Sequence, residues 1–124
     1  MKKLTLQIDK KCFNAILKGE QKVEHRYVYP SNAKKYVIET EKENENGDVD
    51  VHVTPVHYDA LYLINGRRKD APRLTVEVKD AEFVVLTDEE TGEDLFFEDN
   101  GEEYYVCQVW YHLGQILETE NVKA

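Results

Sequence analysis

Leu4, Leu6 and Ile8 alternate with Lys3, Thr5 and Gln7, a period of two that predicts a half-buried strand. Asp9 follows, placed to cap a helix with its side-chain oxygen. Phe13, Ile16 and Leu17 then fall at i, i+3 and i+4, with Cys12 beside them. That stripe predicts a short helix over Lys10–Lys18, closed by Gly19 in the left-handed conformation. Lys22–Val28 alternates again, with Lys22, Glu24, Arg26 and Val28 on one face and Val23, His25 and Tyr27 on the other. Pro30 and Ser31 stop that strand, and a short turn or helix is expected up to Lys35.

Further on, Tyr36–Ile38 starts a strand, KENENGD (42–48) reads as a charged loop, and Val49, Val51 and Val53 alternate with polar neighbours. Tyr58–Ile64 is strongly β-prone, and Asn65–Gly66 after it has type I′ turn character. Leu74, Val76 and Val78 alternate, and Phe83–Leu86 is a further apolar run. Thr87–Gly101 reads as a second acidic loop with a short strand at Leu95–Phe97. Tyr104–Leu113 reads as the last long strand, ended by Gly114. Five to six strands and one clear helix predict a mainly β (α+β) fold, a small barrel whose closure removes strand edges.

The length of 124 residues fits a single domain spanning 1–124. The two cysteines, Cys12 and Cys107, lie far apart among apolar residues and show no metal-ligand spacing, which predicts reduced thiols in a cytoplasmic protein. MKKLTLQIDKK lacks a continuous apolar run, so no signal peptide is expected, and no stretch is apolar enough to span a bilayer.

Charge changes the picture. The net charge is −9, but residues 1–38 hold nine Lys/Arg and three Asp/Glu, whereas 39–124 hold seven and 22. Most acid lies in Glu39–Asp50 and Asp88–Glu103. The chain as a whole repels a polyanion, so any nucleic-acid contact must be local, on the basic N-terminal part or near Arg67, Arg68 and Lys69.

Three segments occur together: LTLQIDKKCFNAILKGE, then GEQKVEHR, then YLINGRRKDAPRLTVEV followed by YYVCQVWYHLGQIL. The chain resembles the ASCH family, whose signature after the first helix is G-x-K-x-x-E-x-R. The resemblance implies a PUA-like β-barrel with minor helical turns and a cleft beside the motif. It also implies a role in RNA metabolism; some relatives hydrolyse acylated cytidine nucleosides with the motif lysine. The matching positions here are Gly19, Gln21, Glu24 and Arg26, so the lysine position holds Gln21 and a lysine follows as Lys22. Gln neither gives nor takes a proton as Lys does, which argues against catalysis.

Glu24 and Arg26 share a strand face about 6.6–6.8 Å apart, too wide for an automatic ion pair but suited to two arms of a cleft. The arginine fork matches phosphate, carboxylate or a base edge, and Glu24 accepts from an exocyclic amine. Tyr27, Tyr29 or Tyr62 offers a stacking face. The plainer reading of Glu24 and Arg26 is cross-strand pairing. Arg67 and Arg68, beside Asn65, read as a phosphate-touching loop or as a solvated hairpin tip. No zinc spacing fits His52 or His57, and no P-loop or dinucleotide-binding glycine pattern occurs, so neither a metal nor a cofactor is expected.

Three function classes follow. The first is a module that binds RNA or a nucleotide-like ligand through Gly19, Gln21, Lys22, Glu24, Arg26, Tyr27, Asn65, Arg67 and Arg68. The second is an amidohydrolase of acylated cytidine-type nucleosides using Glu24 and Lys22. The third is an acidic domain whose 39–50 and 88–103 faces meet a basic protein partner.

Overall fold

The computed structural model describes residues 1–122. The chain divides into two compact units. The first comprises Met1–Glu24, His57–Ala81 and Tyr111–Ala124, and the second His25–Val56 and Glu82–Trp110. No helix among the described residues is long and apolar enough to cross a membrane.

The first unit opens with strand β1 (Lys3–Gln7) and helix α1 (Lys10–Leu17). Asp9 caps α1 by accepting from the Cys12 N–H at 2.7 Å. At its other end Gly19 takes φ +76°. The Gly19 N–H donates to Ile16 O and the Glu20 N–H to Ala15 O, which satisfies two carbonyls that the helix leaves over. Phe13 and Ile16 turn inward and are buried, so α1 is held by packing that a helix this short needs.

Strand β2 (Val23–Val28) leaves the first unit after Glu24. Its inner face carries Glu24, Arg26 and Val28, the alternation the sequence predicts. Strand β5 (Ala60–Ile64) pairs parallel with β1, Lys3 opposite Ala60 and Gln7 opposite Ile64. It pairs antiparallel with β6 (Arg73–Val85), Ala60 opposite Glu77 and Ile64 opposite Arg73. Flanked on both edges, β5 reads as a continuous apolar run, ALYLI, rather than an alternation. Leu61, Leu63 and Leu74 are fully buried there, each contributing about 1.5–3 kcal/mol by leaving water.

The second unit contains the rest of β2, the single-turn helix α2 (Ala33–Tyr36) and two hairpins. Strands β3 (Val37–Glu43) and β4 (Val49–Pro55) form the first, Val37 opposite Pro55 and Glu43 opposite Val49. Strands β7 (Phe96–Asp99) and β8 (Glu102–Tyr105) form the second. The last strand, β9 (Cys107–Glu120), enters the first unit at Tyr111. Few large side chains of this unit are buried, whereas Tyr27, Tyr29, Ile38, Val49, Val51, Phe96 and Tyr105 are exposed.

The described strands make one five-stranded sheet, ordered β1-β5-β6-β9-β2, and two two-stranded sheets. The fold is mainly β, but the expected barrel of five to six strands is not formed. In the sheet order β1 and β2 are the outer strands, and each hairpin pairs only with itself, so no sheet closes. Strand pairing also corrects three boundaries. Lys42 and Glu43 of KENENGD belong to β3, and only 44–48 form the turn, in which Asn44 Oδ1 accepts from the Asn46 and Asp48 N–H groups. Gly114 lies inside β9 instead of ending it. Asn65–Gly66 is not a type I′ turn, because Asn65 does not take positive φ and its N–H bonds to Pro72 O across a longer loop. That turn type occurs instead at Asn100–Gly101, with φ of 53° and 80°, joining Asp99 to its partner Glu102.

Candidate functional site

The turn after α1 places Gly19, Gln21 and Lys22 on the wall of a pocket of ≈ 650 Å³ in the first unit. Ligand sites are commonly about 300–1,000 Å³. Lys18 and Lys22 come from this turn, and Lys79 and Glu77 from β6. Gln115 comes from β9, and Ile16, Leu17, Val76, Leu113 and Ile116 supply apolar wall. The site therefore gathers three ammonium groups, one carboxylate and two amides over a hydrophobic floor. Lys22 is anchored by its backbone, whose carbonyl accepts from the Leu113 N–H at 2.8 Å. Its side chain is exposed. The Gln21 amide donates to Val23 O at 3.0 Å, which orients its oxygen acceptor.

Glu77 is held on the opposite wall. Its Oε1 accepts from the Gln115 N–H at 3.4 Å. Gly114 makes that approach feasible, since a Cβ there would run into Glu77 Oε1 and the Lys79 Cγ. Glycine inside a strand commonly marks such a close approach. Glu77, Lys79 and Gln115 escaped the sequence reading; Gly114 was their signal and reads there as a strand end.

The other expected site residues lie elsewhere. Glu24 belongs to the first unit and is 7% exposed. It does not line this pocket. Its charge acts on Cys12, whose thiol pKa is raised by the hydrogen bond with Asp9 first, by burial second, and by Glu24 to a smaller extent. A raised thiol is a poor nucleophile. Arg26 and Tyr27 belong to the second unit. Arg26 is half-buried. Tyr27 is exposed and stacks on Tyr29 at 6.0 Å. Tyr29 in turn meets Phe97 edge-on at 5.7 Å.

Asn65, Arg67 and Arg68 line a second hollow of the first unit, ≈ 550 Å³, with Lys10 and Asn121. The Asn65 amide nitrogen is engaged with Ile8 O at 2.9 Å, and that of Asn121 with Ala71 O at 3.3 Å. Asn65 thus ties the loop to the sheet, while Arg67 and Arg68 are exposed. Tyr62, a stacking candidate, is part of a polar chain: its hydroxyl donates to Glu120 Oε2 at 2.7 Å and accepts from Arg73 Nη1 at 3.3 Å. His57 Nε2 lies 3.1 Å from Asp59 Oδ1. The Cys12 and Cys107 thiols are both free.

No family model, curated protein or solved structure matches this chain.

Proposed function

We propose that the chain is a binding module for a nucleotide-like ligand, an exposed RNA nucleotide or a modified nucleoside, held in the pocket beside Gly19–Lys22. One observation carries the reading: three lysines, two amides and a carboxylate converge on a partly apolar pocket in a chain of net charge −9. Local ammonium groups offset the general repulsion of a phosphate. The amides of Gln21 and Gln115 match the donor and acceptor pattern of a base edge, and the apolar floor accepts its face. The reading includes the ASCH family and its PUA-like fold, and rests for that on Gly19, Glu24, Arg26 and the strand–helix–strand order of β1, α1 and β2. Barrel closure is no part of it.

Titration with nucleosides, nucleotides and short single-stranded RNAs, followed by NMR shifts, tests the reading. Shifts are expected on residues 18–22, 77–79 and 113–116, and they weaken in both Lys22→Ala and Lys79→Ala. Ligands that shift none of these residues exclude the site.

A second reading, hydrolysis of an acylated cytidine-type nucleoside, is favoured by Lys22 and Glu77 sharing the pocket. Glu77, rather than Glu24, would take a proton from water as its oxygen adds to the acyl carbon. Lys22 would stabilise the oxyanion, and the proton would pass to the leaving amine as the C–N bond breaks. Release of acetate from N4-acetylcytidine that disappears in Glu77→Gln supports this reading; no release by the wild-type chain removes it.

A further inference from the structure

The second unit holds a pocket of a different kind. Its volume is ≈ 380 Å³, and its walls are almost entirely apolar. Strand register explains the composition. Val37 and Glu39 share one face of β3, and Val53 lies opposite Glu39 on β4. Phe83 lines the pocket from β6, and Phe97 and Tyr104 line it from the β7–β8 hairpin. Phe97 and Tyr104 are themselves stacked, with ring centroids 5.6 Å apart. Among the described residues Glu39 is the single charged one on the wall.

The surroundings are strongly acidic. The second unit contains four Lys/Arg and sixteen Asp/Glu, a net charge of −12, and residues 82–110 contain no Lys or Arg at all. A concave apolar site within a field of one sign concentrates ligands of the opposite sign. Aromatic faces add to the same preference, because their quadrupoles attract cations. The Cys107 thiol on the wall is held protonated by burial first and by Asp94 second, which favours reversible, non-covalent occupancy.

We propose that this pocket binds an organic cation, a flat apolar body carrying a protonated or quaternary amine, with Glu39 as its counter-ion. The apolar body fills the space between the valines and the aromatic side chains. The ammonium group stays at the mouth, where Glu39 is exposed and both partners keep part of their hydration. A carboxylate or phosphate group is rejected there, so the ligand differs in charge from any phosphate-bearing ligand of the lysine pocket.

The test is an NMR titration with three probes of one shape: 2-naphthylmethylammonium, neutral 2-naphthalenemethanol and anionic 2-naphthoate. The cation is expected to shift residues 37–39, 53, 83–85, 97 and 104–107, and to bind about two- to fivefold tighter than the neutral probe, the range one exposed ion pair supplies. The anion should bind weakest. Glu39→Gln should bring the cation down to the neutral probe's affinity while leaving the neutral probe unchanged. Added salt should narrow the gap in the wild-type chain. The proposal is overturned if the anion or the neutral probe binds as tightly as the cation. It is equally overturned if cation shifts spread over the acidic surface instead of the pocket, or if no probe binds. None of these results bears on the lysine pocket, whose residues belong to the first unit.

Discussion

Single residues decide how the lysine pocket is built. Gly114 leaves room for the Glu77 carboxylate, so Gly114→Ala should push that group and Lys79 aside. Both obstructing atoms belong to long side chains, so the loss of stability should sit near the low end of the about 1–3 kcal/mol that overpacking costs. The larger effect falls on the ligand; denaturant unfolding and a binding titration of the same variant separate the two. Asp9 has two roles as well. Asp9→Ala removes the cap of α1, costing about 1 kcal/mol, and removes the main cause of the raised Cys12 pKa. The variant's Cys12 should therefore react with a thiol reagent at lower pH than in the parent.

Asp59 sets part of the acid limit. Its carboxyl lies below the usual range because the Lys2 N–H, at 2.7 Å, and then His57 donate to it. With the folded value below the unfolded one, the contribution to stability is complete above the ordinary aspartate value of about 3.9. It is lost as pH falls through the folded value. Asp59→Asn should flatten this part of the acid limb in urea unfolding curves, and an unchanged limb would deny Asp59 that role. Of these residues, Asp9 was legible because capping is local in sequence. Glu77 was not, because its place depends on a glycine 37 positions away, counted from 77 to 114.

Among the elements, periodicity found most strands and the whole of β1, α1 and β2. The difference between β1 and β5 shows the limit. The alternation of β1 is that of an outer strand, whereas the continuous ALYLI of β5 follows from having a partner on each side, which spacing alone does not reveal. Val49, Val51 and Val53 alternate with polar neighbours as the sequence reads, yet among the described strands β4 pairs only with β3, and Val49 and Val51 stay exposed. The acidic stretch 88–103 hid a hairpin because its charges mask the Asn100–Gly101 signal. Carboxylates at Glu98, Asp99, Glu102 and Glu103 flank a turn whose backbone needs are met by those two residues. Gly101 has φ +80°, and a Cβ added there would meet nothing within 4 Å, so Gly101→Ala costs backbone strain alone. The expected loss is about 1–2 kcal/mol. It should register as faster amide exchange in β7 and β8, with β1 and β5 unaffected.

For the whole molecule, charge is the property that structure reorganises most. Along the chain the sign changes near residue 38, but in the fold it divides by unit. The first unit has twelve Lys/Arg and nine Asp/Glu, a net +3, against −12 in the second. Late segments such as Arg67–Lys69 and Lys79 join the basic N-terminal residues in one unit, a grouping set by β1–β5 and β5–β6 pairing rather than by sequence distance. This partition bounds how an RNA can bind. Among the described residues only Lys18, Lys22 and Lys79 provide cations at the proposed pocket, so at most three phosphates are neutralised by them. Single strands release about 0.7 counter-ion per neutralised phosphate, so the slope of log K against log salt should be no steeper than about −2. Lys22→Ala should flatten it by about 0.7. A markedly steeper slope, unaltered in that variant, would require a phosphate track outside the pocket, with Arg67 and Arg68 the next cations to substitute. A slope near zero would mean that the ligand is recognised as a base or nucleoside and that the lysines do not touch phosphate.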